Sequence, residues 1–201
     1  MSTLLLIRHG LCDPVGKSIA GRSPGVHLDK NGHRQARSLA KALDRLPIAA
    51  VYSSPLDRAR ETAGRLAERF GLEVRNSSGL EELDYGDWTG RTLDSLAADP
   101  IWQQFNRQRA ATRIPRGETM GEVVDRATSA VDEMRAEHPD ALVAAVTHGD
   151  VIRALLASWA GMPLDHMLLL EIAPASLSAV HFSPEPHLLL MNWLPDPGDA
   201  I

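Results

Sequence analysis

Residues 4–10 read Leu4-Leu5-Leu6-Ile7-Arg8-His9-Gly10, and residues 141–149 read Ala141-Leu142-Val143-Ala144-Ala145-Val146-Thr147-His148-Gly149. Both are unbroken apolar runs that stop at a His-Gly pair. Continuous rather than alternating hydrophobicity is the mark of parallel strands covered on two faces. Ile48 to Tyr52 is a third strand of the same kind. Leu177 to Phe182 and His187 to Trp193 read as two further strands joined around Pro184 and Pro186, at a sheet edge.

The segments between the strands carry helical periodicity. Ala36, Leu39, Ala40 and Leu43 share one face, as do Ala59, Ala63, Leu66, Ala67 and Phe70. Ser54-Pro55-Leu56-Asp57 reads as the start of the second helix, with a Ser cap, Pro at the first helical position and an acid three residues after the cap. Thr119 and Glu122 form a capping box ahead of Val123, Ala127, Val131 and Met134. Asp150 to Trp159 is apolar nearly all round, which predicts a buried helix. Strands alternating with helices of this length predict an α/β fold, a three-layer sandwich with a mostly parallel central sheet flanked by helices. No repeat or linker divides the 201 residues, so one domain spanning 1–201 is expected, with residues 79–119 as an excursion over the sheet.

Composition narrows the function. A formal net charge of −5 with 23% charged residues argues against a nucleic-acid or membrane-surface partner, since both are anionic. It leaves room for a small anionic substrate held by a local arginine cluster. Cys12 is the single cysteine, which excludes an intramolecular disulfide and a Cys-based zinc site and fits a reducing compartment. The apolar run at the N-terminus is too short for a signal peptide core, and no stretch reaches membrane-spanning length. A cytoplasmic location is the expectation, as monomer or homodimer.

Open parallel sheets bind ligands beyond the carboxyl ends of their strands. The two His-Gly pairs therefore place His9 and His148 at one edge, facing a common pocket. Gly10 and Gly149 remove side chains where a bound group would approach the backbone. The strand ending at Tyr52 leads into a helix whose first turn carries Arg58, and helix N-termini favour anions. Two imidazoles with Arg8 and Arg58 around an anion site is the arrangement expected.

Those words, taken together, resemble the histidine phosphatase superfamily, which also contains the cofactor-dependent phosphoglycerate mutases. Leu6-Ile7-Arg8-His9-Gly10 is similar to its signature. Ser53 to Ala63 resembles its second motif, Glu81 to Gly90 the stretch carrying its acid, and Val146-Thr147-His148-Gly149 its last motif. The motifs keep the family's order and span residues 4 to about 180. By position, the resemblance implies that His9 is the nucleophile and that Arg8, Arg58 and His148 hold the phosphoryl oxygens. It makes Glu82 the proton donor, four residues before Gly86. It also implies a phosphoglycerate mutase-like fold, no metal or cofactor, and a small phosphorylated substrate.

The chemistry agrees with these roles. Neutral imidazole is a good nucleophile near pH 7. Phosphoryl transfer asks for in-line positioning and positive charge around the equatorial oxygens, which arginine's planar fork supplies. Glu82 must be protonated to assist the leaving alkoxide and ionised to activate water, so a pKa raised towards neutrality is expected.

The chain departs from the family pattern after Gly10. Cys12 and Val15 stand where many members have Thr and Asn, and Arg22 is a further phosphate-ligand candidate, its alternative being a loop salt bridge. Cys12 either points into packing or faces the pocket. Trp88 and Trp102 either fasten the excursion or line the mouth. Thr89 stands where phosphatases often have Glu. Arg116-Gly117-Glu118-Thr119 resembles the family's segment before a long helix; its polar groups are candidates for touching substrate, although the capping box alone accounts for Thr119.

Three rival readings differ in what they require of the chain. A phosphomutase would use the same phosphohistidine, but mutases tend to be longer, and Gly86-Asp87-Trp88 favours a phosphatase. A binding protein with dead chemistry would be expected to have lost His9 or Glu82. A metallohydrolase would need ligand spacings such as HxH or HExxH, which the chain lacks.

Overall fold

Leu4 and Leu6 of the first strand face one side of a sheet, while Leu5 and Ile7 face the other. That is why the run is continuous: both faces are buried. In the computed structural model, which describes residues 2–195, the strands are β1 (Ser2–Arg8), β2 (Ile48–Ser53), β3 (Val74–Asn76), β4 (Leu142–Thr147), β5 (Leu177–Phe182) and β6 (Pro186–Trp193). They form one sheet in the order β3-β2-β4-β1-β5-β6. β3, β2, β4 and β1 are mutually parallel, and β5 is antiparallel to both of its neighbours. The mostly parallel α/β sandwich expected from the sequence is thus present. The short β3 carried no readable signal.

The helices are α1 (Lys30–Ala42), α2 (Asp57–Phe70), α3 (Leu93–Leu96), α4 (Pro100–Arg107), α5 (Met120–Glu137) and α6 (Gly149–Trp159). α1 and α2 cover one face through Leu39, Ala40, Ala59, Ala63 and Leu66. α5, α6 and the 79–119 segment cover the other, with Leu80, Leu83, Trp88, Phe105 and Ile114 in the same apolar cluster as Val123 and Leu155. The excursion is therefore core on its inner side, and Trp88, only 1% exposed, is its main fastener. α5 begins with the full capping box of Thr119 and Glu122.

α2 starts differently from the expectation. Its N-cap is Leu56, with no side-chain cap, and Pro55 precedes the cap. The Ser54 N–H donates to the Val146 carbonyl (2.9 Å), which keeps Ser54 in line with the sheet. Its hydroxyl accepts from the Leu56 N–H (3.3 Å), just ahead of the helix, and has a second partner described below.

At the edge, β6 leaves Leu188, Leu189, Leu190 and Met191 exposed, while Trp193 is half-buried against the apolar cluster under α1 and α2. No helix among the described residues is long and apolar enough to cross a membrane.

Candidate active site

β1 and β4 are adjacent and in register, Arg8 opposite Thr147, so the residues that follow them meet at the carboxyl edge. The His9 N–H donates to Thr147 O (2.9 Å). The rings of His9 and His148 stand edge to face with centroids 5.2 Å apart. Arg58 arrives from the first turn of α2 and is 1% exposed. Thr62, one turn further, accepts from the Gly10 N–H (3.0 Å) and donates to Arg58 O (2.8 Å), locking α2 to the loop after β1.

His9 Nδ1 lies 2.7 Å from the Gly10 carbonyl. A carbonyl only accepts, so Nδ1 carries the proton and Nε2 keeps its lone pair. Arg58 Nε donates to that Nε2 at 3.3 Å. Burial, reinforced by Arg58 and Arg8, holds the His9 pKa down to about 3, so the ring is neutral. His148 is fully buried, and burial with the positive charge of Arg58 lowers its pKa as well. Its Nε2 exchanges a hydrogen bond with Ser54 Oγ (2.8 Å). Ser54 Oγ is thus shared between His148 and the Leu56 N–H. Nδ1 of His148 has no hydrogen-bond partner and points towards Glu82 Oε2, 3.8 Å away.

Glu82 faces the same cavity. Burial, with the charge of Asp150 added, raises its pKa to about 7 against the opposing pull of Arg58. One of its oxygens accepts from the Leu83 N–H (2.9 Å). Its backbone is clamped from outside: Arg22 Nε (2.8 Å) and Arg126 Nη2 (3.1 Å) both donate to Glu82 O. Arg126 also donates to the carbonyls of Gly79 and Glu81, at 2.8 Å each.

The cavity has a volume of about 310 Å³. Arg8, His9, Arg58, Glu82 and Gly149 line it; His148 does not, its fully buried ring standing 5.2 Å from that of His9. Gly149 does bring backbone to the site: a Cβ there would sit 3.3 Å from Arg8 Nε. Gly10 is a correction. A Cβ at Gly10 would lie 2.8 Å from Gly32 O, so its missing side chain admits the first turn of α1, not a ligand. Arg22 is the second correction. It pairs with Glu118 (2.9 Å) and Glu81 (3.3 Å) and does not line the cavity. Glu118 accepts from Arg22 and Arg126 and from the Asp84 N–H, so it too is framework. Cys12 lines the cavity, and burial raises its pKa, so it stays a thiol. Trp102 both lines the mouth and stacks edge-on against Trp88 (5.1 Å). Thr89 packs its hydroxyl against the backbone of Gly21.

Sequence reasoning missed Tyr85, Asp150 and Arg153. Asp150 is held between the Tyr85 hydroxyl, which donates to it, and Arg153 Nη1 (3.1 Å). Asp150 lies one position after Gly149, and Tyr85 and Arg153 had no pattern to betray them. Among the described residues, no cluster of three or more His, Cys, Asp or Glu side chains is placed to hold a metal ion.

Arg8 Nε and Arg58 Nη1, both buried, have no protein hydrogen-bond partner. Beside a neutral nucleophilic nitrogen and a carboxyl poised near neutrality, they suit a phosphoryl group with its oxygens on the arginines. Comparison with known proteins agrees. A probable phosphoglycerate mutase GpmB of Serratia proteamaculans is 34% identical over 201 residues, covering 96% of this chain and 91% of that protein. Phosphoserine phosphatase 1 of Hydrogenobacter thermophilus is 29% identical, covering 94% and 91%. The solved structure of Bacillus stearothermophilus YhfR superposes with a TM-score of 0.89 at 29% identity, over 94% of this chain and 96% of that one. Residues 4–193 match the family model of the histidine phosphatase superfamily (branch 1), and the chain belongs to that superfamily.

Proposed function

We propose that this phosphate-monoester hydrolase works through a phosphohistidine on His9. The observation that carries the reading is the hydrogen bond from His9 Nδ1 to Gly10 O, which leaves Nε2 unprotonated and turned towards Arg58. Nε2 attacks phosphorus, the P–O bond to the alcohol breaks, and the departing oxygen takes the Glu82 proton. The Glu82 carboxylate then removes a proton from water, whose oxygen attacks phosphorus. The P–N bond breaks, and phosphate leaves with His9 neutral again. In this reading Arg8 Nε, Arg58 Nη1 and His148 Nδ1, which have no protein hydrogen-bond partner, hold the equatorial oxygens, the role that positioned donors play in such transfers. The substrate is a small phosphorylated metabolite, and the enzyme is read as cytoplasmic.

The identity to a probable phosphoglycerate mutase supports a second reading, in which the phosphoryl group returns to substrate and not to water. Assay of the purified protein on an aryl phosphate, with and without chelator, beside His9→Ala, tests the first. Chelator-resistant turnover that vanishes in His9→Ala is expected. Turnover lost to chelator or retained in His9→Ala would overturn it, and interconversion of phosphoglycerates exceeding phosphate release would establish the mutase.

A further inference from the structure

Three guanidinium groups face the cavity, and they are not equivalent. Arg8 and Arg58 each keep an unpartnered nitrogen beside His9. Arg153 is committed elsewhere: Nε donates to Leu170 O (2.9 Å) and Nη1 to Asp150 Oδ1 (3.1 Å). Burial opposes ionisation of Asp150, but Arg109 and Arg153 outweigh it, and its pKa stays below the ordinary value. Two of the Arg153 nitrogens are thereby spent on protein acceptors, and its charge stands against that of Asp150. Arginines around the rim are matched as well, Arg22 by Glu81 and Glu118, and Arg91 by Asp99 (3.1 Å). Lys17 is exposed on the loop after β1 and does not line the cavity.

Away from the phosphate end, Pro14, Val15, Ile19, Leu93 and Trp102 give the wall an apolar stretch, beside the polar Ser18 and the Tyr85–Asp150–Arg153 group. Part of it is braced. Residues 17–19 and 90–93 form a hydrogen-bonded ribbon, Ile19 N–H to Arg91 O (2.9 Å), Gly90 N–H to Ile19 O (2.7 Å) and Leu93 N–H to Lys17 O (3.1 Å). Trp102 is held by its edge-on contact with Trp88.

From this distribution we infer that the site takes phosphate esters whose leaving alcohol is uncharged and presents an apolar or aromatic face, and that it selects against alcohols bearing a carboxylate. The inference rests on the reading of this cavity as the phosphate site. A carboxylate entering the outer part would shed water and meet only Arg153, whose guanidinium is already paired with Asp150. A flat apolar group would gain contact with the Trp102 and Ile19 side of the wall. Phosphoglycerates, which carry a carboxylate, fall on the disfavoured side, so the inference also weighs against the mutase reading.

The test is a matched pair of esters, phenyl phosphate and 4-carboxyphenyl phosphate, with 3-phosphoglycerate alongside, measured on the wild type and on Ile19→Lys and Leu93→Lys. Wild type is expected to favour phenyl phosphate at least tenfold in kcat/KM over each carboxylate ester. A lysine in the wall supplies the missing cation, so at least one variant is expected to narrow that ratio threefold or more through a lower KM for the carboxylate ester. Equal or better use of 4-carboxyphenyl phosphate or 3-phosphoglycerate by wild type overturns the inference, as does a ratio that neither lysine moves. Failure of the catalytic reading looks different: no ester is turned over, or turnover survives His9→Ala, and the inference falls with it.

Discussion

His9 and Glu82 share one cavity, yet burial moves their proton affinities in opposite directions, His9 down to about 3 and Glu82 up to about 7. The cause is common, since a low-dielectric site disfavours whichever form is charged. The result is a neutral nucleophile and a neutral acid at the same pH, which is the pairing that the first chemical step needs. The sign of the pH dependence follows. Glu82 is protonated below about 7, so kcat/KM, which reports formation of the phosphohistidine, falls as pH rises through that value. Glu82→Gln cannot titrate, so its profile should lose this limb, and kcat/KM on an alkyl phosphate should drop about 10²-fold or more. An aryl phosphate should suffer less, because its leaving group needs less proton help. pH-rate profiles of the two proteins on both ester types check this, and an unchanged alkaline limb in Glu82→Gln would assign the acid elsewhere. His9, Arg8, Arg58 and His148 were legible in the sequence because each follows a strand or opens a helix whose own hydrophobic pattern fixes its address. Asp150 and Tyr85 were not, because a buried acid–phenol pair made across 65 residues leaves no local pattern.

Elements set where these groups stand, and the acid is held by elements that do not themselves reach the substrate. The Glu82 segment has no regular secondary structure, so its backbone position depends on side chains from outside. Arg126 of α5 donates to the carbonyls of Gly79, Glu81 and Glu82 and pairs with Glu118 (2.9 Å). Charged donors on backbone carbonyls are among the stronger hydrogen bonds, and here one guanidinium spans the approach to Glu82, the proposed acid. Arg126→Ala should leave phosphate affinity close to wild type, because it touches neither Arg8 nor Arg58. It should lower kcat on an alkyl phosphate about tenfold, in line with the sensitivity of catalysis to small misplacements. The readout that separates positioning from simple destabilisation is the limb near pH 7, which should weaken or shift in Arg126→Ala as Glu82 gains solvent. A normal profile with normal kcat would show that Arg22, the other donor to Glu82 O, suffices alone. This layer was the least readable in the sequence. The heptad-like face of α5 predicts which residues it buries, but a polar residue such as Arg126 carries no sign of the loop it grips. Ser54 is the parallel case: Ser-Pro before an acid reads as a helix cap, whereas its N–H bonds the sheet and its hydroxyl is shared between the Leu56 N–H (3.3 Å) and His148 (2.8 Å). Gly10 errs in the same way, its missing side chain serving helix packing and not a ligand.

Across the molecule, the sheet order places three strand ends side by side, β2, β4 and β1, and converts motifs separated by more than a hundred residues into one site. The shared edge was readable, since continuous apolar strands point to a parallel sheet whose carboxyl ends lie together, but the strand order itself was not. The apolar mouth was not, because it needs the loop after β1 to bridge to the excursion through the isolated pairing of Ser18 with Thr92. Charge shows the same division between local and global. The chain carries a net charge of −5, so any affinity for phosphate must come from local fields. Two cationic clusters compete for that role. One is the cavity, where Arg8 and Arg58 keep unpartnered nitrogens. The other is the outer cleft between α1 and α2, where Arg37, Lys41, Arg65 and Arg69 gather. There Arg65 already pairs with Glu68 (3.0 Å) and Arg69 with Asp44, and exposed pairs in water offer an added anion little. Binding to the folded state alone stabilises it by about 2.7 kcal/mol at a phosphate concentration 100 times Kd. For a chain of this size that raises Tm by roughly 5–10 °C, taking about 2–4 °C per kcal/mol. Thermal unfolding with inorganic phosphate should show this rise in wild type and in His9→Ala, which keeps both arginines. It should largely disappear in Arg58→Met, which removes one, and persist in Arg65→Ala. A rise lost with Arg65 and kept without Arg58 would move the anion site to the helical face. The cavity, and the chemistry argued for it, would then have to be reconsidered together.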